Sequence, residues 1–261
     1  MGPHVHVPFD KIKDYIDFII NNNLNLEVYF SSAMLDTVSY ENIFAVQQML
    51  EHKPSLSIHA PFMDLSPGAV DAKVRKATLY RFTQVLDTAE ILKPKAIVFH
   101  SGYEKWKYAL KIDLWLEKSL MTWQPLNTRA AAMGVKIAIE NIFEDEPQNL
   151  KMLMEEMNSE NFGICFDTGH FNLFSKAPIE DWMATLKPYF IELHLHDNNR
   201  TSDQHLPVSE GTFDFKYFFE LLGNRNCIYT LEAHSPQNVL KSIKALEALN
   251  TKNAFSMDMD A

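Results

Sequence analysis

The sequence predicts a single-domain α/β protein, a (β/α)8 TIM barrel with its active site at the C-terminal ends of the strands. Three observations carry that prediction. Short β-rich runs alternate eight times with longer amphipathic stretches along 261 residues, the pattern of a parallel sheet in the number of units that closes. Six successive runs, the third to the eighth, end on a side chain able to ligate a metal: His59, His100, Glu140, Asp167, His194 and Glu232. The links that follow strands, such as 60–70, 101–110 and 195–213, are longer than those that precede them, as in a barrel whose working loops share one mouth. A doubly wound open sheet would bring a Gly-rich phosphate turn after its first strand. With 8 glycines and no GxGxxG motif, that alternative is disfavoured.

Taken in order, the candidate strands are 4–8 (HVHVP), 25–30 (NLEVYF), 55–60 (SLSIHA), 95–100 (KAIVFH), 135–140 (VKIAIE), 162–167 (FGICFD), 189–194 (YFIELH) and 228–232 (IYTLE). Between the first two, Ile12, Tyr15, Ile16 and Ile19 share one face of an expected helix over Asp10–Asn22. Segment 70–92 repeats the pattern with Val74, Ala77, Leu79, Phe82, Val85 and Leu86. Ser39 with Glu41 reads as a helix cap, and Pro147 and Pro178 suit first-turn positions. Pro94 and Pro188 stop helices ahead of strands, and Gly134 takes the usual place after a helix end. No Pro/Gly/Ser-rich linker divides the chain, so the barrel is expected over residues 1–250, with 251–261 as a frayed tail.

Hydrophobic residues make up 46% and charged residues 22%, ordinary for a globular protein with a sizeable core. No apolar run is long enough to span a membrane. The start, MGPHVHVPF, lacks the basic and apolar regions of a signal peptide. Cys165 and Cys227 lie in separate apolar runs without CxxC spacing, so two buried, reduced thiols and a cytoplasmic setting are expected. The net charge of −10 argues against nucleic acid as a partner, because phosphate neutralisation supplies most nonspecific affinity.

The donor residues group by strand. Glu140, Asp167, His194 and Glu232, from the fifth to eighth strands, make one divalent-metal site of three carboxylates and an imidazole. His59 and His100 flank Glu140 on the other side, so Glu140 could bridge to a second ion. His170 lies three residues past Asp167, and Asp203 and His205 alternate in SDQHLP; an extended loop would point both one way, toward a third ion. His4, His6 and His196 lie near the mouth but complete no group, and His6 and His196 could touch substrate. Buried carboxylates clustered without a cation repel one another and are pushed upward in pKa. No GxSxG motif, Cys–His pair or basic–aromatic stripe competes with this constellation.

The motifs HAPF, FHSG, IENIF, CFDTGH, LHLHDN, DQHLPVSEGTFD and LEAH, in this order from about residue 2 to 248, resemble the xylose isomerase-like superfamily, which includes sugar phosphate isomerases and epimerases and endonuclease IV. The resemblance to endonuclease IV implies one zinc on His59, His100 and Glu140. It implies a second on Glu140, Asp167, His194 and Glu232, and a third on His170, Asp203 and His205. The resemblance to the epimerases implies one ion, usually manganese, on Glu140, Asp167, His194 and Glu232, with Glu140 and Glu232 exchanging protons with the substrate. Two departures separate these. The second and third loops, SSAMLDTV and PFMDLSPGAV, carry no basic residue, where endonuclease IV reads DNA with Arg and aromatic side chains. Ser209 also stands where a Gly is common.

The reading is therefore a sugar or sugar-phosphate isomerase or epimerase using zinc or manganese, one to three ions, without a nucleotide or organic cofactor. A trinuclear zinc phosphodiesterase of the endonuclease IV type is the alternative, and a barrel that only binds a sugar the third. Phe62 and Trp106 would stack on a sugar, and Arg200 would hold a phosphate.

Overall fold

The computed structural model describes residues 2–257, and the side chains of 2–249. Eight parallel strands close in chain order: β1 His4–Pro8, β2 Asn25–Tyr29, β3 Leu56–His59, β4 Ala96–His100, β5 Lys136–Glu140, β6 Phe162–Asp167, β7 Phe190–Leu195 and β8 Ile228–Leu231, with β8 pairing back to β1. The helices are α1 Ile16–Asn21, α2 Ser32–Thr37, α3 Tyr40–Met49, α4 Ala72–Leu92, α5 Ile112–Ala132, α6 Gln148–Met157, α7 Thr168–Phe174, α8 Ile179–Leu186, α9 Phe215–Leu222 and α10 Pro236–Met257. The expected tail at 251–261 falls on the end of α10 and beyond it, and its last four residues lie outside those described.

Because side chains alternate along a strand, each strand feeds two cores. One parity (Val5, Leu26, Ile58, Ile97, Ile137, Ile164, Leu193 and Leu231 among them) packs with helix residues into the main hydrophobic core. The other parity faces the lumen, where the apolar cluster shrinks to Val98, Ala138 and Cys165 with Ile191 against it. The rest of the lumen is polar and buried: His4, Glu27, Ser57, Glu192 and Thr230. A barrel filled by branched aliphatics is the usual solution; here half of that filling has been exchanged for hydrogen-bonding groups.

Most local signals read from the sequence act as expected. Lys93 ends α4 in the left-handed conformation, with Pro94 next, and Gly134 follows α5 at φ +70°. Two signals act differently. The N3 residue of α3 is Asn42 rather than Glu41, and it completes a capping box with Ser39. The stretch expected as one helix over Asp10–Asn22 begins as a 3-10 turn at Phe9–Lys11 and becomes α-helical only from Ile16. Ile12 and Ile19, on the expected apolar face, are nevertheless both fully buried. Cys165 is buried in the lumen, whereas Cys227 is only partly so.

Phe166 shows how strongly the outward face is packed. It is fully buried and lies within 6.0 Å, ring to ring, of Phe171, Trp182, Phe190 and Phe218. Truncation there leaves a cavity among rigid rings that cannot collapse. Phe166→Ala is expected to destabilise the chain by about 3–5 kcal/mol, read as a lower urea midpoint with an unchanged slope; a loss below about 1 kcal/mol would contradict this packing.

Candidate metal centre

Local sequence places each donor. Asp167 ends β6 and is also the N-cap of α7, where its Oδ1 accepts the His170 N–H at 2.6 Å. One carboxylate thus starts the helix and positions His170, which explains the FDTGH spacing. In β7 a bulge intervenes: Ile164 pairs with Phe190 but Cys165 with Glu192, leaving Ile191 as an extra residue. That shift sets His194 opposite Asp167 and turns Glu192 into the lumen. Past β7, the buried Asp197 accepts the backbone N–H groups of Asn198, Gly211, Thr212 and Phe213, which folds the 198–213 loop back over the mouth. Ser209 in that loop adopts φ +66°, a conformation costing a non-glycine residue about 1 kcal/mol. The glycine-type turn therefore survives the substitution. The loop is not extended around SDQHLP as expected: His205 sits at φ +47°, and its Nε2 still comes within 3.0 Å of Asp203 Oδ2.

The imidazole tautomers follow from partners that can only accept. His59 Nδ1 lies 2.8 Å from the Ala60 carbonyl, so it carries the proton and Nε2 faces Glu140 at 3.1 Å. His100 Nε2 approaches the same Glu140 oxygen at 3.3 Å. His194 Nε2 lies 3.0 Å from the carboxylate of Glu27, which turns Nδ1 toward three other carboxylates. Those are Glu232 at 3.2 Å, Glu140 at 3.7 Å and Asp167 at 3.7 Å. His194 is fully buried and this Nδ1 makes no hydrogen bond.

An ion bonded at about 2.1 Å in a tetrahedron separates its donors by about 3.4 Å, and the three contacts of His194 Nδ1 bracket that distance. The donor set, one orphaned imidazole nitrogen among buried carboxylates, fits a divalent ion of zinc or manganese type. His59, Glu140 and His194 also bring donor atoms within 4.8 Å of one another, as do Asp167, His170 and His196, and again His196, Asp203 and His205.

Without a cation among them, the carboxylates hold protons on the imidazoles. Burial lowers the His194 and His170 pKa values, but the surrounding carboxylates more than reverse this and both lie well above the ordinary imidazole range. His205 is likewise lowered by burial yet raised overall to about 9 by Asp203 and Glu232. Burial raises Glu232, but His194, His6, His205 and His196 together bring it down to about 2. Glu140 is also raised by burial and held well below its usual range by His100, His194 and His170.

All nine residues expected as ligands from the sequence therefore meet at one mouth. His6, expected only near substrate, bonds Glu27 at 2.8 Å and approaches Glu232 at 3.4 Å. Phe62 lines the cavity above the donors and lies flat on His100, with ring centroids 4.3 Å apart. That cavity is about 1330 Å³ and also takes in Tyr29, Phe143 and Phe174. Two expected contacts lie elsewhere. Trp106 is 76% exposed and outside the cavity wall, and the Arg200 guanidinium is engaged by Asn172 at 3.0 Å.

Sequence reasoning missed Glu27, Glu192 and His234. Glu27 is fully buried in mid-strand, two residues before the end of β2. A lone carboxylate inside the apolar run NLEVYF was itself the signal, since such a group is buried only when paired. His234, just past Glu232, stacks on His205 at 4.8 Å.

Residues 29–250 match the model of the family described as xylose isomerase-like TIM barrel. Two uncharacterised proteins of Methanocaldococcus jannaschii are 28% identical over 71% of this chain and 66% of their own length, and 30% identical over 67% and 69%. The matched stretch thus spans about two thirds of those relatives. Among solved structures, a D-tagatose 3-epimerase-like protein superposes with a TM-score of 0.84 at 23% identity, covering 97% of this chain and 99% of that one. The TTHB071 protein of Thermus thermophilus, soaked with zinc chloride, gives 0.79 at 26%, with the same coverage. A D-psicose 3-epimerase of Clostridium cellulolyticum, with D-tagatose, gives 0.76 at 14%, covering 95% and 98%. At 23% and 14% identity the likeness is one of fold.

Two outcomes follow from the geometry. Any ion must displace imidazole protons, so zinc affinity should rise as pH climbs from 6 toward 9, the His205 value, and binding at neutral pH should release protons. Titration calorimetry in buffers of different ionisation enthalpy reads both; a pH-independent affinity would contradict the assignment. Separately, Glu27→Gln should weaken zinc by about 10–100-fold, the usual effect of losing a carboxylate that orients a ligating histidine. Competition with a chromophoric chelator measures it, and unchanged affinity would mean that packing alone holds His194.

Proposed function

The chain belongs to the xylose isomerase-like TIM barrel family, and from that premise we propose that it is a divalent-metal-dependent isomerase or epimerase of a sugar or sugar phosphate. Proton transfer occurs at the carbon alpha to a carbonyl, through an enediolate. One observation carries the reading: Glu140 and Glu232 approach the same His194 nitrogen from strands on either side of β7. A pair of bases so placed can take a proton from one side of a carbon and return one from the other.

Both glutamates are held below the ordinary carboxylate range, so both are ionised and able to accept a proton at neutral pH. A zinc or manganese ion on Glu140, Asp167, His194 and Glu232 would supply Lewis-acid stabilisation for the negative charge that develops on the substrate oxygens. His6, bonded to Glu27, lies beside Glu232 and limits where that carboxylate can swing. Phe62 offers an apolar wall beside the donors, suited to the C–H face of a sugar. Fold neighbours that include a D-psicose 3-epimerase with D-tagatose support a sugar as the substrate class.

The additional donors favour a second reading, an endonuclease IV-like zinc phosphodiesterase acting on an abasic-site duplex. Here the cavity wall weighs against it. Its lysines are Lys11 and Lys107, and Asp64, Asp71 and Glu104 share the same wall; a duplex footprint needs several uncompensated cations. Among the described residues no helix is long and apolar enough to cross a membrane, so a membrane partner has no support from that side.

Purified protein loaded with manganese or zinc should wash solvent deuterium into the alpha carbon of at least one ketose or ketose phosphate. Glu232→Gln should slow that exchange by about 10²–10⁴-fold, the usual share of one general base. No exchange across a broad sugar panel, together with salt-sensitive cleavage of an abasic duplex, would reverse the order of the two readings.

A further inference from the structure

The cavity above the donors is larger and more apolar than a lone sugar requires. At about 1330 Å³ it exceeds the roughly 300–1,000 Å³ of pockets that enclose a drug-sized ligand. Its wall carries Met63 at 72% exposure, Val70 at 55% and Phe143 at 54%, with Val74 also exposed. These side chains sit on the loops that follow β3 and β5 and on the first turn of α4. Phe62 continues the surface inward to the donors, since its ring lies flat on His100. Val74 belongs to the expected apolar face of α4, yet at this first turn the face overhangs the mouth instead of the core. Exposed apolar side chains grouped on the wall of one cavity mark a binding surface, unlike the single ones scattered over any protein.

The same wall is unsuited to a phosphate. Lys107 Nζ donates to Ser66 Oγ at 3.1 Å and lies over the Tyr108 ring, and Lys11 pairs with Asp14 at 3.4 Å. The imidazoles of the mouth face Glu27, Glu140 and Asp203. A helix N-terminus is the other usual seat for a phosphate. That of α4 is taken by the Asp71 carboxylate, which accepts the Lys73 and Val74 N–H groups at 2.7 and 3.3 Å. At the start of α10, Pro236 has no N–H to offer and Ser235 Oγ accepts from Asn238 at 3.3 Å. Asp64 and Glu104 add further negative charge to the rim.

We infer that the substrate is an uncharged sugar carrying an apolar substituent, an alkyl or aryl group. The sugar lies over Glu140 and Glu232, and the substituent extends along Phe62 to Met63, Val70 and Val74. This substrate class rests on the sugar reading of the site and narrows it. The substituent provides the remote binding that a phosphate gives elsewhere, and such binding helps to hold the reacting carbons between the two glutamates. Each methylene fully buried on this wall should tighten binding by about fourfold, and one left half in solvent by about twofold.

The test uses the metal-loaded whole chain and alkyl glycosides, which present sugar hydroxyls to the donors without a carbonyl and so bind without turnover. Methyl, butyl and octyl glycosides of glucose, galactose, mannose and xylose are titrated calorimetrically below their micelle concentrations. An octyl oligoethylene glycol ether, which has the tail and no sugar, is titrated beside them. For at least one sugar the octyl glycoside should bind at least about tenfold more tightly than both the methyl glycoside and the ether. Met63→Ser combined with Val70→Ser, both at exposed positions, should lower that octyl-to-methyl ratio by about threefold or more. The phosphate ester of the same sugar should bind no more tightly than the free sugar. The assignment is overturned by no gain from methyl to octyl with any sugar, by an ether as tight as the glycosides, by a ratio that the double variant leaves unmoved, or by tighter binding of the phosphate ester. A second copy of the chain covering the rim would also overturn it, and would appear in gel filtration as a dimer that the double variant dissociates. Deuterium exchange into ketoses reads the sugar chemistry separately: its absence removes that chemistry, whereas exchange without a chain-length effect removes only the apolar substituent.

Discussion

Five carboxylates, Glu27, Glu140, Asp167, Glu192 and Glu232, are buried inside one barrel, and the lumen is organised around neutralising them. Each ionised group taken out of water costs several kcal/mol unless paired. Three different answers are used. Glu192 keeps its proton: burial and the charge of Glu27 push its pKa up to about 8, while the Ser57 and Thr230 hydroxyls donate to its Oε1. Glu27 is raised by burial but held ionised by the imidazoles of His194 and His6. Glu140, Asp167 and Glu232 converge on His194 Nδ1, which has no hydrogen-bond partner, an arrangement a divalent cation would satisfy.

That constraint propagates outward. Glu27 sets the tautomer of His194, the β7 bulge sets its register against Asp167, and Asp167 caps α7 and so places His170. Asp197 gathers four backbone N–H groups and carries Asp203 and His205 to the mouth. Rigid strands and caps hold the donors, and the loops hold only what the strands cannot reach. The main apolar core stays on the outer face of the sheet, so the polar lumen does not weaken the packing of strands on helices.

The same donors could serve proton transfer or phosphodiester hydrolysis, so the ligands identify a site and the wall around it selects the chemistry. Here the wall mixes aromatic and acidic residues with few cations. A small polyol with an apolar face suits it better than a polyanionic duplex.

Strand order, closure and the convergence of the strand-end side chains were legible in the residues, because strand periodicity and strand-end chemistry are local properties of the chain. His59, His100 and Glu140 could be grouped from sequence alone, since parallel strands bring successive ends together. The lumen-facing partners were not legible. Glu27 acquires meaning only when β2 curves round to face β7, and Glu192 only when the bulge at Ile191 turns it inward. The place of His196 was not legible either, because its ring is seated over Gly169 and stacked on His205, contacts that spacing does not encode. Trp106 and Arg200 lie outside the cavity wall because loop side chains are aimed by contacts, such as Arg200 with Asn172, that sequence spacing does not encode. Sequence determined which groups are present and at which end of which strand. Tertiary structure decided which nitrogen of His194 faces the carboxylate cluster, because that depends on Glu27, an acceptor brought from a distant strand.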